Sequence, residues 1–508
     1  MTQAKGETTL RAILAAAPDD ATALVAPEAE QQWSYGALRA QVDALGARLA
    51  AMGIGRGDRV AMVLPNGPEI VATFLAVVHG GAVAAPLNPA YKPDELTFYF
   101  GDIGPRALIV PRGEAAAARA AARADCRIIE AAVDETGRFT VTGPEAGTGD
   151  VETPEPDDIA LVLHTSGTTS RPKQVPLRHR NLLAAARTVA RTYQLDPSDV
   201  SLCVMPLFHV HGLVASTLAM LLCGGTVVVP TRFSARRFWA DVQRYGVTWY
   251  SAVPTIHQTL LARAQDPTCA EAPPPGTTTL RFVRSCSSAL APATMQALEE
   301  RFGVPVLEAY GMTEAAHQMA SNPLPPGRRV PGSVGRATGL QIGIMDSQGA
   351  LLPPGSVGEV VIRGESVTSG YHNNPEANAA AFTKGWFRTG DQGVLDEDGY
   401  LRLTGRIKEL ILRGGENIAP REIDEVLLAH PAVVEAIAFG LPDAKYGEEV
   451  AAAVVLRGAA TPEELMAHCR ERIAEFKVPR TIFITDQIPR TATGKIQRRA
   501  VAAAFAAR

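Results

Sequence analysis

The stretch LHTSGTTSRPKQVPL, Leu163–Leu177, sets three threonines, two serines, a glycine, an arginine and a lysine between apolar flanks. Small hydroxyl side chains and a glycine leave backbone N–H and O–H groups open to phosphate oxygens. Lys173 adds a point charge, and Pro172 stiffens the loop beside it. A Walker loop requires G-x-x-x-x-G-K-[ST] running into a helix. Here no second glycine precedes Lys173, and Gln174 follows it. The expectation is a phosphate cradle of a different kind.

Further segments extend the same chemistry. EAYGMTEAAHQ (Glu308–Gln318) offers an aromatic ring, a hydroxyl and a carboxylate within five residues. An adenine face, a phosphate donor and a magnesium ligand need those three types. WFRTGD (Trp386–Asp391) ends in a carboxylate able to accept two ribose hydroxyls, and GRIKELILRGGENI (Gly405–Ile418) places cations around a Gly-Gly pair. PRTATGKIQRR (Pro489–Arg499) is a glycine-containing loop with a lysine near the chain end. Taken singly, these are equally a core tyrosine, a solvated aspartate, a basic linker and a basic tail. Their conjunction is what points to nucleotide chemistry.

The elements that must position these residues follow from the apolar pattern. Ile159–Leu163 reads as a strand and Asn181–Tyr193 as a helix, so the opening loop leaves a strand end, where α/β sheets bind ligands. From Asp158 to Gly339 apolar strands alternate with helical patterns: Ile159–Leu163, Ser201–Met205, Thr226–Val229, Thr248–Val253, Arg281–Ser285 and Val306–Ala309. That alternation predicts parallel sheets covered by helices. VATFLAVVHGGAVAAP (Val71–Pro86) and ASTLAMLLCGGTVVVP (Ala215–Pro230) share the order helix, Gly-Gly, strand, proline, which fits two pseudo-equivalent α/β layers. From Gly355 to Leu403, short segments punctuated by Gly and Asp-Gly predict antiparallel β-structure. Beyond Glu409 a compact α+β unit is expected, with helices Pro420–His430 and Pro462–Ala474 and strands Val433–Phe439, Val450–Val455 and Thr481–Thr485. The fold class is therefore α/β: a large N-terminal domain (1–407) with a small β subdomain, then a small α+β C-terminal domain (408–508).

Bulk properties exclude other classes. A chain of 508 residues exceeds one core. A formal net charge of −4 gives no general polyanion binder, so no nucleic acid partner is expected. The six cysteines form no C-x-x-C pair, which suits a reducing compartment. The N-terminus lacks the apolar core of a signal peptide, the C-terminus lacks a peroxisomal tripeptide, and no apolar run is long enough to span a bilayer. A cytoplasmic protein is the expectation.

Together and in this order, the motifs resemble the adenylate-forming superfamily of acyl-CoA synthetases, luciferases and peptide-synthetase adenylation domains. The resemblance runs from WSYGAL (Trp33–Leu38) to TGKIQRR. LHTSGTTSRPK, MPLFHVHGLVA (Met205–Ala215), WYSAVPTIHQ (Trp249–Gln258), RSCSSALAP (Arg284–Pro292) and MTEAAHQMASNPLPPG (Met312–Gly327) are most similar to the oxalate–CoA ligases within it. The resemblance implies a two-step reaction using ATP, Mg2+ and coenzyme A. A carboxylate attacks the α-phosphorus of ATP, and the CoA thiol then displaces AMP after the C-terminal domain swings. It implies that Thr165, Ser166, Gly167, Thr168, Thr169 and Lys173 hold the β- and γ-phosphates. Tyr310 would stack on adenine, with Glu308 and Ala309 at its edge. Thr313 would contact the α-phosphate, while Glu314, with Thr168, would hold the metal. Asp391 and Arg406 would bind ribose, and Lys495 would bridge carboxylate and α-phosphate. Lys408 would be the hinge, and Gly414, Gly415 and Glu416 would face the pantetheine tunnel. Gln174 departs from the family's glycine; at a positive φ it would cost on the order of 1 kcal/mol and displace Lys173.

The acid pocket is expected among His209, His211, Arg284, Ser285, Ser287, Ser288, His317 and Asn322, a polar set where a fatty-acid tunnel would want apolar residues. A second buried carboxylate needs such donors, and a histidine can carry positive charge when a dianion binds. His211, Ser287, Ser288 and His317 are the foremost candidates, with His209 alternatively the gate to the pocket. Oxalate is the expected acid. Another small carboxylic acid, a carrier-protein adenylation module, or an adenylate-binding protein without turnover remain alternatives. The sequence runs 13 residues beyond Lys495, and no fused carrier domain is expected.

Overall fold

The computed structural model describes residues 8–15, 17–133, 138–145, 151–165, 172–266, 272–490 and 496–506. Two large sheets, two smaller ones and their covering helices account for the described chain. The seven-stranded sheet runs Phe139–Thr142, Arg127–Val133, Ala107–Pro111, Arg59–Met62, Val83–Pro86, Ile159–Thr165 (β1) and Lys173–Arg178 (β2). The nine-stranded sheet centres on Trp249–Ala252 (β3), Phe282–Ser285 (β4) and Val306–Met312 (β5), all parallel, and turns back antiparallel at His317–Ser321 (β6). The apolar runs of the sequence are these strands, buried on both faces as parallel strands must be.

Helix Pro68–His79 is buried at all but one residue and joins both sheets in one apolar cluster with helix α1 (His179–Thr192). A helix apolar all round belongs inside. The two Gly-Gly units lie one in each sheet, their strands being Val83–Pro86 and Thr226–Val228. They differ in their helices: the second opens with an eight-residue π-helix, His211–Leu218.

The opening loop departs from the sequence reading. Lys173 begins a strand rather than continuing a loop, and β2 pairs antiparallel with β1, Thr165 opposite Lys173. The segment is a hairpin whose second strand runs straight into α1. The strained glutamine is also not found. Gln174 sits in the extended strand and donates from Nε2 to the Asp102 carbonyl at 3.1 Å. Its side chain ties β2 to the helix Pro93–Ile103, so the departure from glycine adds an anchor instead of strain.

The third sheet is antiparallel as expected, with Trp386–Leu395 (β7) between Val357–Arg363 and Leu401–Arg406 (β8). The C-terminal sheet has Ile411–Arg413, Glu416–Ile418, Val433–Asp443, Gly447–Leu456 and Thr481–Ile484, covered by helix α2 (Pro420–Leu428) and helix Pro462–Arg470 around a separate apolar cluster. Among the described residues, no helix is long and apolar enough to cross a membrane.

Candidate active site

The ends of β4, β5 and β7 converge. Tyr310, at 8% exposure on β5, donates its hydroxyl to Asp391 of β7. The other oxygen of Asp391 faces Arg406 Nε of β8 at 2.7 Å. Each carboxylate oxygen accepts two hydrogen bonds, so Asp391 keeps capacity for hydroxyls while its charge is fixed. Burial, and then the Asp391 charge, raise the Tyr310 hydroxyl well above its ordinary pKa, keeping it a donor.

Glu314 lies in a single 3-10 turn, Thr313–Ala315, that closes the β5–β6 hairpin. Tyr371 donates to its Oε1 at 2.9 Å, and Lys173 Nζ stands 4.6 Å above the Tyr371 ring. Burial raises the Glu314 pKa; Arg406 and Lys173 oppose it. Lys173, Glu314 and Arg406 thus share one field. Tyr371 is a residue the sequence reading missed, since nothing distinguishes an aromatic in the loop TSGYHNNP.

Glu308, on β5, accepts from Leu290 N at 3.0 Å and faces Arg421 of α2 at 3.5 Å. Burial pushes its pKa up to about 7, and Arg421 pulls the other way. Its Oε2 is buried with no partner among the described residues. Arg421 was also missed; it joins the C-terminal unit to the large one.

A second cluster lies behind. His211 opens the π-helix, a device frequent at functional sites. Gly212 follows because a Cβ there would stand 2.4 Å from the Pro206 carbonyl. His211 pairs through Nε2 with Ser251 Oγ of β3 at 2.6 Å and through Nδ1 with Ser287 at 3.0 Å. Its ring centroid is 5.1 Å from that of His317. Arg284 of β4 is fully buried and donates to Tyr193 Oη, Ser251 Oγ, His317 Nδ1 and Gln318 Oε1 at 2.8–3.3 Å. No aspartate or glutamate faces it among the described residues. Both histidines are held well below their ordinary pKa, first by burial and then by Arg284. The permanent cation is therefore Arg284, and the histidines stand neutral beside it.

Ser287 and Ser288 are exposed at the end of β4, while His209 precedes the π-helix with its ring 5.3 Å from that of Phe208. Asn322 points elsewhere, its Nδ2 donating to the Ser333 carbonyl at 2.7 Å, and the Ser285 hydroxyl is buried with no partner among the described residues. Gly414 and Gly415 take positive φ at the exposed tip of the Ile411–Ile418 hairpin, with Glu416 beside them. Lys408 is exposed in a 3-10 turn, its carbonyl accepting from Arg499 at 3.1 Å. Ser166, Gly167, Thr168, Thr169 and Lys495 lie outside the described residues.

The site sets buried carboxylates beside aromatics on a large α/β unit followed by a small α+β unit. The chain belongs to the AMP-binding enzyme family, whose description matches residues 10–372, with the AMP-binding enzyme C-terminal domain matching 422–495. It is 50% identical over 464 residues to the oxalate–CoA ligase of Arabidopsis thaliana, covering 89% of each chain. It is 46% identical over 482 residues to that of Saccharomyces cerevisiae, covering 89% of this chain and 87% of the other. The crystal structure of ATP-bound MatB from Rhodopseudomonas palustris superposes with a TM-score of 0.87 at 31% identity, over 98% of this chain and 99% of that one.

Proposed function

We propose that this chain is an AMP-forming oxalate–CoA ligase. It activates oxalate as oxalyl-adenylate with release of pyrophosphate, then transfers the oxalyl group to coenzyme A with release of AMP. The observation that carries the reading is the buried Arg284 with its two neutral histidines and exposed Ser287, a donor-rich pocket with an uncompensated positive charge. An aliphatic acid would leave those donors unpaired, at a cost of about 1–3 kcal/mol each. A second carboxylate satisfies them.

In this reading Tyr310 stacks on adenine, with Ala309 and Glu308 along its edge. The orphaned Glu308 Oε2 is an acceptor suited to an exocyclic amine. Asp391, held by Tyr310 and Arg406, takes ribose hydroxyls. Thr165, Ser166, Gly167, Thr168, Thr169 and Lys173 hold the β- and γ-phosphates, and Thr313 meets the α-phosphate. Glu314 fits Mg2+: one buried carboxylate anchored by Tyr371, completed by phosphates and water, is the usual protein share of such a site. When bound, the metal neutralises phosphate charge. Lys495 approaches the reacting carboxylate, and charge fixed around oxygens in flight supplies most of the catalysis. His211, Ser287, Ser288 and His317 receive the acid, and His209 stands at its entrance.

The large domain ends at residue 407, and Lys408 is the hinge on which the small one swings, bringing Gly414, Gly415 and Glu416 to the pantetheine. A reducing, cytoplasmic setting suits the five described cysteines, all free. The test is product analysis. Purified protein with ATP, Mg2+, CoA and oxalate should yield oxalyl-CoA, AMP and pyrophosphate in equal amounts. ADP in place of AMP, or adenylate without free thioester, would refute the reading.

A further inference from the structure

Arg284 has all three of its nitrogens engaged within the protein: Nε with Tyr193 Oη, Nη1 with Ser251 Oγ, and Nη2 with His317 Nδ1 and Gln318 Oε1. It sits behind the pocket wall rather than on it. A guanidinium is a donor only, so each group it touches must accept.

The consequences propagate outward in two arms. His317 accepts at Nδ1, and as a neutral ring it carries its proton on Nε2, which has no partner among the described residues. Ser251 accepts from Arg284 at 2.8 Å, and its own hydrogen has one acceptor among the described residues, His211 Nε2 at 2.6 Å. His211 then holds its proton on Nδ1 and donates it to Ser287 Oγ at 3.0 Å. Ser287, having accepted, is left with its hydroxyl hydrogen free to donate into the cleft. Both arms end in an outward donor.

The backbone marks the same two ends. Ser287 has φ +72 and His317 φ +127, in the region that favours glycine. Such conformations cluster where surrounding structure enforces a functional geometry.

We infer that Arg284 is a positioning residue for acid specificity: it fixes the hydrogen-bond polarity of the pocket, so that Ser287 and His317 both present donors to the far carboxylate of the substrate. The preference for a dianion over a neutral end rests on the oxalate reading; the tautomer assignment does not. Other titratable groups around the cluster are His209, His257, Tyr193 and Cys286; burial holds the Tyr193 hydroxyl protonated and the His257 ring neutral.

The experiment combines 15N-histidine NMR of the acid-free protein with steady-state kinetics. In the wild type His317 should be the Nε2–H tautomer and His211 the Nδ1–H tautomer. Arg284→Gln should release both, raise the oxalate KM roughly 10–100-fold, and leave the KM for ATP within threefold. It should also move any pH dependence of the oxalate KM upward, since the guanidinium no longer adds to the burial that opposes histidine protonation. Arg284→Lys, still a donor only, should recover part of the lost affinity. Ser251→Ala, which breaks one arm and leaves Arg284 buried, should release His211 alone and keep the His317 tautomer. Should Arg284→Gln not fold, that variant carries the same test. Wild-type tautomers retained at both histidines in Arg284→Gln, or at His211 in Ser251→Ala, would overturn the inference, as would an equal KM rise for oxalate and acetate. If the wild type does not use oxalate at all, the substrate reading fails while the tautomer assignment stands or falls on its own spectrum.

Discussion

Arg284 and Ser251 show how a residue's role can be visible in sequence before its mechanism is. Each is a polar residue inside a short apolar run, RFVRSC and WYSAV, that becomes a fully buried strand. A buried strand admits an arginine only where hydrogen bonds await it. The sequence reading singled out Arg284 as a contact to the acid. The structure gives it protein partners on every nitrogen and hands the outward positions to Ser287 and His317. Ser251 escaped because its signal is one hydroxyl among aromatics. At this scale the proposal for Lys495 is the sharpest. In that proposal the lysine acts while charge develops at the α-phosphate and not in the second step, so Lys495→Ala should slow adenylate formation by roughly 10²-fold or more. Reaction of pre-made oxalyl-adenylate with CoA should be largely spared. Rapid-quench measurement of each half-reaction decides it, and equal losses in both would remove the assignment.

Among the elements, strand existence was more legible than strand ends. The runs at Ile159, Thr226, Phe282 and Val306 are strands, but β1 and β2 extend the first into a hairpin that a Thr- and Ser-rich stretch conceals. Polar composition signals a loop, yet pairing with a neighbour overrides local preference. The β5–β6 hairpin depends on Gly311, where a Cβ would stand 2.1 Å from the His317 carbonyl. Gly311→Ala should lower stability by about 1–3 kcal/mol and raise the oxalate KM by displacing His317, read by thermal melting and kinetics together. A second element prediction concerns the N-terminal 3-10 helix Leu10–Leu14. His79 Nε2 donates to the Leu10 carbonyl at 3.2 Å, and Leu10 N donates to His179 Nδ1 at 3.2 Å. Burial holds each histidine pKa at about 4, against 6.5 unfolded. Both are neutral when folded, so the unfolded chain takes up the protons first. Their contribution is fully present above pH 6.5 and is lost as pH falls toward 4, by roughly 3 kcal/mol per histidine at the lower end. Denaturation midpoints between pH 7 and pH 4.5 should fall accordingly, and His79→Gln should flatten that slope.

For the whole molecule, the two units meet where Arg421 of the small one faces Glu308 of the large one. Such a joint suits a domain that must leave one arrangement for another. Lys408→Pro fixes φ at the proposed hinge; pyrophosphate exchange should survive while thioester formation collapses, and thioester formation near the wild-type rate would place the hinge elsewhere. The division into a layered α/β body and a compact α+β end was legible because periodicity changes along the chain. The contact between the two units was not, because Arg421 and Glu308 are 113 positions apart and carry no mutual signal in sequence. The central claim is that a buried guanidinium held by neutral partners and its two donor arms select a second carboxylate, and acid-dependent ATP–pyrophosphate exchange measures it most directly. With oxalate, malonate, acetate and a medium-chain monocarboxylate compared at equal concentration, the account predicts the highest kcat/KM for oxalate, by at least tenfold over acetate. A preference for acetate or for the medium-chain acid would contradict it.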